Sequence, residues 1–255
     1  MGSMDAIISA ITDFLTPLPV WDARGETLMP IFGTAHQLWL IICIGMVLLL
    51  VSGHRGLAPY PKAQRRFELR VACAPAVLCA IHLGLMAAFD AFHPGCAPLH
   101  LCNLAEILAI AYALHGDELT GNVLYGIGII GPLAALLFPG WTTAPAFSLP
   151  AVCGFAEHTL VVSYVIMKLR DKSLRPTLEG IWQPLVFTGI YISAIYPVNK
   201  QWGTNFAFVN WPLPGTPLEM WEQMYGNPGY LVSYTVAFVL IEAALFYPWR
   251  KERRS

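Results

Sequence analysis

Seven long apolar stretches, separated by short polar connections, constrain this chain more than any other feature of its sequence. A membrane-spanning helix needs about 20 mainly apolar residues, and each stretch comes close to that length. They cover residues 28–51, 67–89, 98–115, 121–138, 149–168, 181–199 and 229–247. Only 12% of the 255 residues are charged, about half the fraction in an average soluble domain. We therefore predict an all-α, polytopic membrane protein with seven transmembrane helices.

The positions of the basic residues predict how these helices are oriented. Thirteen of the 15 lysines and arginines fall in three clusters, within residues 55–70, 168–175 and 250–254. With seven spanning helices, all three clusters lie on one side of the membrane, and by the positive-inside rule that side is the cytoplasm. With six helices, one cluster would fall on the opposite face. We therefore expect the N-terminus outside and the C-terminus in the cytoplasm.

The spans divide the chain into three parts. Residues 1–27 precede them, and the apolar run 6–18 is too short to span but carries isoleucines at helical spacing, which predicts an interfacial helix. Residues 28–247 form the transmembrane domain, and residues 248–255 form a basic cytoplasmic tail. Because no basic stripe occurs outside the short loops, nothing in the sequence indicates a nucleic-acid partner.

Four histidines fall within the predicted spans, all of them in the outer half of the membrane. They are His36, His82, His100 and His158. A polar ring in hydrocarbon needs a partner, so each is a candidate for a functional site. The structural alternative is a hydrogen bond between helices, which we favour for His82. On the third span, His100, Asn103 and Glu106 are three residues apart and share a helix face. Cys102 and Glu106 are neighbours at i, i+4.

Cys102 is the candidate nucleophile of this group. A cysteine beside a histidine is the general arrangement for acyl transfer, and His100 or His158 would serve as the base. Two structural alternatives stand beside this hypothesis. The thiol could pack in the apolar interior, or it could form a disulfide with Cys96 in the outer loop.

Two other classes of function remain open at this point. Imidazole and carboxylate groups suit zinc or iron, so the four histidines with Glu106 or Glu157 could form an intramembrane metal site. However, no two of these histidines have the i, i+4 spacing of helical zinc ligands. The second class is a transporter, or a membrane protein that binds a lipid or small molecule without catalysis, since polar groups within spans serve substrate pathways equally well.

A set of short motifs runs through the first span and the third to seventh spans. They are Phe32–His36, Pro98–Cys102, Leu124–Gly128 with Leu137–Pro139, Glu157–His158, Asn199 with Gly203–Phe208, and Gly226–Tyr230 with Glu242. In this order and spacing, the motifs make the chain resemble the YwaF-like family of bacterial integral membrane proteins. That family is related to vertebrate transmembrane protein 164, which is described as a phospholipid acyltransferase that uses a cysteine.

The resemblance implies a membrane-embedded lipid acyltransferase or acyl hydrolase in a bacterial cytoplasmic (inner) membrane, acting on a membrane lipid or acyl chain. It implies site residues at His36, His100, His158, Asn199 and Asn205. In the resulting hypothesis, Cys102 attacks the acyl group, and Asn199 or Asn205 donates a hydrogen bond to the developing oxyanion. Asn103 and Glu106 complete the substrate-binding surface together with His36. This scheme needs no cofactor.

Overall fold

The computed structural model describes residues 2–251, and all the regular structure in that stretch is helical. Its α-helices are α1 (Gly2–Leu15), α2 (Leu18–Asp22), α3 (Thr34–Gly56), α4 (Pro61–Ala88), α5 (Leu101–His115), α6 (Glu118–Leu137), α7 (Leu149–Arg170), α8 (Trp182–Trp202), α9 (Pro217–Tyr225) and α10 (Tyr230–Phe246). Short 3₁₀ turns occupy Pro94–Cys96, Leu178–Ile181, Phe206–Phe208 and Tyr247–Lys251. The predicted all-α class is confirmed. The end of the predicted basic tail, residues 252–255, lies outside the described residues.

In the part of the chain that the structure describes, six helical segments are long and apolar enough to cross a membrane. They are α3, α4, α6, α7, α8 with the turn before it, and α10 with the turn after it. The third predicted span corresponds to α5, which is apolar but has only 15 residues, or about 22 Å at the usual helical rise. Residues 2–251 therefore contain six candidate spans where the sequence predicted seven.

The predicted third span is shorter than expected because its first residues are extended. His100 precedes α5 with an extended backbone, and its N–H donates to Asn103 Oδ1 at 3.2 Å. Because this contact satisfies the backbone at the helix start, α5 begins at Leu101 rather than at Pro98. At the other end, Gly116 takes the left-handed conformation (φ 65°) that commonly ends a helix.

The first span also begins later than predicted, at Thr34 instead of residue 28. Upstream of it, the N–H groups of Leu28 and Met29 both donate to the carbonyl oxygen of Thr142 at 2.9 Å. These bonds hold the segment against the loop between α6 and α7, so it does not join the helix. The helix instead continues to Gly56 and is 23 residues long.

α7 is the central helix of the bundle and packs against α3, α4 and α6. Within its apolar stretch 72% of the residues are buried inside the protein, against 17% in α3 and in α10. Tyr164 and Phe155 on α7 have no exposed surface. The outer helices expose large apolar side chains such as Ile41, Leu49 and Ile190. A continuous apolar surface of this kind fits contact with lipid.

Ion pairs join α3, α4 and α7 at the end of α3 opposite to His36. His54 Nε2 lies 2.8 Å from Glu68 Oε1, and Lys168 Nζ lies 3.1 Å from Glu68 Oε2. Lys168 Nζ also lies 3.3 Å from Asp171 Oδ2. Glu68 falls within the stretch of the first basic cluster, and Lys168 belongs to the second. These contacts bring the two clusters to the same end of the bundle.

Candidate functional site

The polar residues at the start of α5 are linked by hydrogen bonds. The N–H of His100 donates to Asn103 Oδ1, and Asn103 Nδ2 donates to Glu106 Oε1 at 3.4 Å. The carboxyl group of Glu106 is buried, whereas His100 and Asn103 are half-buried. Asn103 therefore connects the exposed start of the helix with a carboxyl group in its interior face.

α7 brings further polar side chains to this face of α5. Glu157 is close enough to Glu106 for the two carboxyl groups to interact electrostatically, and Cys102 interacts with both. His100 and His158 also lie close enough to interact. The two helices thus gather a thiol, two imidazoles and two carboxyl groups, which we call the α5–α7 polar group: Cys102, Glu106, Glu157, His100 and His158.

His158 has the hydrogen bonding expected of a base. Its Nδ1 lies 2.6 Å from the carbonyl oxygen of Gly154, and because a carbonyl only accepts, Nδ1 carries the hydrogen. Nε2 of the neutral ring therefore keeps its lone pair. Among the described residues, nothing forms a hydrogen bond with Nε2. The ring packs on Trp141 at a centroid distance of 5.4 Å, which fixes its plane.

His100 faces a cavity of about 320 Å³. The cavity lies between the segment before α5 and the long connection after α8, and its lining includes His93, His100, Trp202, Asn205, Phe208 and Trp211. The His100 ring packs against Phe206 and Phe208, with centroid distances of 5.5 and 5.2 Å. The polar start of α5 is therefore accessible from this cavity.

Asn199 and Asn205 hold the connection after α8 in place. Asn199 Nδ2 donates to the carbonyl oxygen of Phe206 at 2.9 Å, and its Oδ1 accepts from Thr204 Oγ1 and from the N–H of Phe206. Asn205 Nδ2 donates to the carbonyl oxygen of Trp211 at 2.8 Å. Both amide groups are thus engaged within the loop, so the oxyanion bonds that we expected of them would compete with loop bonds.

The chain matches a known protein family over most of its length. A family model described as the TMEM164 family covers residues 31–246. The chain belongs to the TMEM164 family. No curated protein and no solved structure matches the chain.

The TMEM164 match runs from the loop before α3 to the end of α10, and it contains the whole α5–α7 polar group. Helices α1 and α2 precede it. The match and the six apolar helices together identify an integral membrane protein. The family resemblance drawn from the sequence motifs is confirmed at this level.

The other two predicted histidines of this TMEM164-family chain, His36 and His82, form no hydrogen bond with the α5–α7 polar group in the described chain. His36 is fully buried, its Nδ1 accepts from the N–H of Phe32, and its Nε2 donates to the carbonyl oxygen of Leu136, both at 2.8 Å. With both nitrogens used, His36 joins α3 to the end of α6. Nε2 of His82 is buried without a hydrogen-bond partner in the described chain, so the interhelical bond that we favoured for it is not formed.

Cys96 and Cys102 are both free thiols. The disulfide that the sequence left open between them is therefore absent. Cys96 Sγ lies 3.9 Å from the carbonyl oxygen of Ala91, a weak contact within its own loop. For Cys102, which is half-buried, packing and nucleophilic attack remain as the two alternatives.

The predicted histidines do not converge as metal ligands. Within residues 2–251, the His, Cys, Asp and Glu side chains whose ligand atoms lie within 4.8 Å of one another are His54, Glu68 and Asp171. Lys168 Nζ lies between these two carboxyl groups, where a cation would bind. The metal site that the sequence left open at the α5–α7 polar group therefore has no matching ligand geometry.

Tyr191 and Gly131 are neighbours of the site that the sequence did not reveal. The Tyr191 hydroxyl donates to the carbonyl oxygen of Leu99, just before His100, and Tyr191 interacts electrostatically with Cys102. A methyl group added at Gly131 would lie 3.9 Å from the N atom of Cys102. Both contacts depend on how α6 and α8 pack against α5, for which a single sequence carries no signal.

Proposed function

We propose that this TMEM164-family protein is a membrane-embedded lipid acyltransferase or acyl hydrolase with Cys102 as its nucleophile. The observation that supports this most directly is the α5–α7 polar group itself: Cys102 stands two residues after His100, and His100 lies close enough to His158 to interact. A thiol and a base in one site are the requirement for covalent acyl transfer.

His158 is the general base in this proposal. Its Nδ1–H is held by the carbonyl of Gly154, so Nε2 accepts the proton of the Cys102 thiol. The sulfur attacks the acyl carbonyl carbon, the ester C–O bond breaks, and the departing alkoxide takes the proton from His158. A hydroxyl of an acceptor lipid, or water, then attacks the thioester, gives its proton to His158 and frees the thiolate, which regains that proton.

The first turn of α5 supplies the oxyanion donors in this proposal. The first N–H groups of a helix have no partner within the helix, and Cys102 is the second residue of α5. Gly131 leaves space beside the N atom of Cys102, where an acyl oxygen would bind. These donors replace Asn199 and Asn205, whose amides are engaged in the loop. His100, Asn103 and Glu106 would line the route from the 320 Å³ cavity.

We also propose that the chain crosses the membrane seven times, with its N-terminus outside. Counting α5 as the seventh is supported by its last turns, where the Tyr112 hydroxyl donates to the carbonyl oxygen of Ser173 in the loop after α7 at 2.7 Å. The start of α5 meets α7 near His158, in the first half of that helix. α5 therefore runs alongside α7 toward the end that carries the basic clusters. The resemblance supports a bacterial cytoplasmic membrane.

Lipid turnover by the purified protein in mixed micelles tests the chemistry. We expect Cys102→Ala to abolish release or transfer of the acyl chain, and His158→Gln to lower it by at least about 100-fold. Cys43→Ala is the matched control, since Cys43 is a buried thiol on α3. A thioester adduct on Cys102, trapped by mass spectrometry in wild type, would support the mechanism. Unchanged turnover in both site variants would rule it out.

A binding protein without catalysis is the second candidate function. The aromatic lining of the cavity at His100 favours it, because a pocket with apolar walls and a few polar groups is typical of a ligand site. In this case Cys102→Ala would still bind lipid as tightly as wild type, and wild type would show no turnover.

A further inference from the structure

A second polar site lies where α6, α8 and α10 meet, apart from the α5–α7 polar group. Its central residue is Glu242 of α10, whose side chain has no exposed surface. Neither carboxyl oxygen of Glu242 has a hydrogen-bond partner in the described part of the chain. Thr188 of α8 is also buried with an unpartnered hydroxyl. An intramembrane carboxyl group without a partner is a functional-site candidate rather than a packing residue.

The carboxyl group of Glu242 lies directly against Gly126 of α6. A methyl group added at Gly126 would be 2.6 Å from Oε1 and 2.9 Å from Oε2 of Glu242, and 2.7 Å from Cβ of Pro184. Space that cannot hold a methyl group cannot hold a water molecule either. The three helices therefore enclose this face of the carboxyl group between a glycine backbone and a proline ring, with no solvent to stabilise a charge.

No neighbouring group stabilises a negative charge on the Glu242 carboxyl group. Tyr125 is close enough to interact electrostatically with Glu242, but its hydroxyl donates to the carbonyl oxygen of Leu245 at 2.9 Å and accepts from Trp249 Nε1. One turn before Gly126, Asn122 Nδ2 donates to Gln183 Oε1 at 2.9 Å. The hydroxyl of Tyr125 and the amide groups of Asn122 and Gln183 are thus already engaged with other partners.

The remaining titratable groups belong to α10 itself and to α6, α9 and the turns, which pack on α10. They are Glu118, Glu179, Glu219, Glu222, Tyr225, Tyr230, Tyr234, Tyr247 and Arg250. Glu242 forms an ion pair with none of them, nor with any other described residue. An isolated carboxylate in such surroundings is far less stable than the neutral acid.

We propose that Glu242 is a proton-binding site of the membrane interior, which holds a proton as the neutral carboxylic acid while α6, α8 and α10 are packed together. The ligand is the proton itself. It binds to one carboxylate oxygen with no other bond made or broken, and it leaves when the contact with Gly126 opens to water. The site does not depend on the chemistry proposed for Cys102.

The pH dependence of unfolding, compared between wild type and Glu242→Gln, tests this proposal. Glutamine has the size of the neutral acid and cannot ionise. The unfolded wild-type chain releases the proton above about pH 5, whereas the folded protein retains it. We therefore expect the folded-to-unfolded ratio of wild type to fall relative to Glu242→Gln by about tenfold per pH unit above about pH 5, for as long as the folded protein retains the proton. Parallel curves would overturn the proposal.

Infrared spectroscopy provides a second readout that does not require the glutamine variant to fold. Wild type in detergent at about pH 7 should show the C=O stretch of a buried carboxylic acid, and Glu242→Asp should shift that band. Glu106→Gln and Glu157→Gln are the matched controls, because each removes another buried carboxyl group of the bundle and should leave the Glu242 band in place. A carboxylate band from Glu242 in the folded protein would contradict the proposal.

Discussion

At the scale of single residues, Gly126 shows how closely the helices approach one another. A side chain at this position would overlap the carboxyl group of Glu242 and the ring of Pro184, at 2.6 and 2.7 Å. Neither neighbour can easily retreat, since Glu242 is fully buried and Pro184 is part of α8. Glycine is therefore required here for packing, and not for its backbone freedom, because Gly126 lies within a regular helix.

We predict that Gly126→Ala lowers the free energy of unfolding by about 1–3 kcal/mol, the usual effect of overpacking a core. Gly189→Ala is the matched control, because a methyl group at Gly189 in α8 meets no atom within 4 Å. That variant should be as stable as wild type or gain up to about 1 kcal/mol from the better helix propensity of alanine. Denaturant unfolding in detergent measures both, and equal stabilities of the two variants would contradict the packing argument.

His36 and His158 show that the same residue type has opposite roles in one bundle. Both nitrogens of His36 are engaged with backbone groups, whereas His158 keeps Nε2 unpartnered within the described chain. From the sequence, both residues were site candidates, His158 as a base and His36 as part of the substrate-binding surface. Their difference follows from which backbone atoms lie within reach of each ring, and these atoms come partly from other helices.

At the scale of elements, the turn between α5 and α6 shows how a short connection fixes two helices. Asp117 caps α6, with its Oδ1 accepting from the N–H of Thr120 at 2.9 Å. Gly116, in the left-handed conformation, ends α5 directly before it. The polar turn was visible in the sequence, and these two residues explain why one helix ends and the next begins within three positions.

We predict that Asp117→Ala destabilises the protein by about 1 kcal/mol at neutral pH, the usual effect of losing an N-cap. The backbone N–H of Thr120 holds the pKa of the Asp117 carboxyl below its usual range. The contribution of the charged form is therefore complete above the usual aspartate pKa of about 4, and it is lost as the pH falls through the lowered pKa.

Unfolding measured at about pH 7 and about pH 3 checks the Asp117 prediction. The difference between wild type and Asp117→Ala should shrink at the lower pH. Asp117→Asn keeps an acceptor without a charge, so it should retain most of the stability and show less of the pH dependence. If the stability difference between wild type and Asp117→Ala grew at the lower pH, it would contradict the role of the charged Asp117 as a cap.

At the scale of the whole molecule, whether α5 crosses the membrane decides on which side of it the loop after α7 lies. Between Glu26 and Lys172 the chain contains α3, α4, α5, α6 and α7. If α5 crosses the membrane, five crossings separate these two exposed residues and they lie on opposite sides. If α5 does not cross, they lie on the same side.

We predict that a membrane-impermeant maleimide labels Glu26→Cys in intact cells and labels Lys172→Cys only after the cells are lysed. Both positions are exposed, so each should react once the reagent reaches it. Wild type provides the background from the native cysteines. Labelling of both variants in intact cells would exclude α5 as a span.

The sequence by itself determined the class of this protein and the approximate positions of its long apolar helices. Hydropathy is a local property, and runs of apolar residues bounded by charge predict helices wherever they pack. This is why α6, α7, α8 and α10 lie close to predicted spans, while α4 begins earlier than predicted and α3 and α5 begin later. Their late starts come from contacts that hydropathy does not report: bonds to Thr142 for one, and the cap from Asn103 for the other.

Only the tertiary structure decided which polar groups meet. The direction in which a side chain points within a bundle depends on how its helix is rotated about its axis. That rotation is set by packing against helices that are distant in sequence. It brought Cys102 and Glu106 to Glu157, and it enclosed Glu242 against Gly126. It also engaged Asn199 in loop bonds. Polar residues in a membrane could be found from the sequence, but their partners could not, because partners are fixed by contacts between helices.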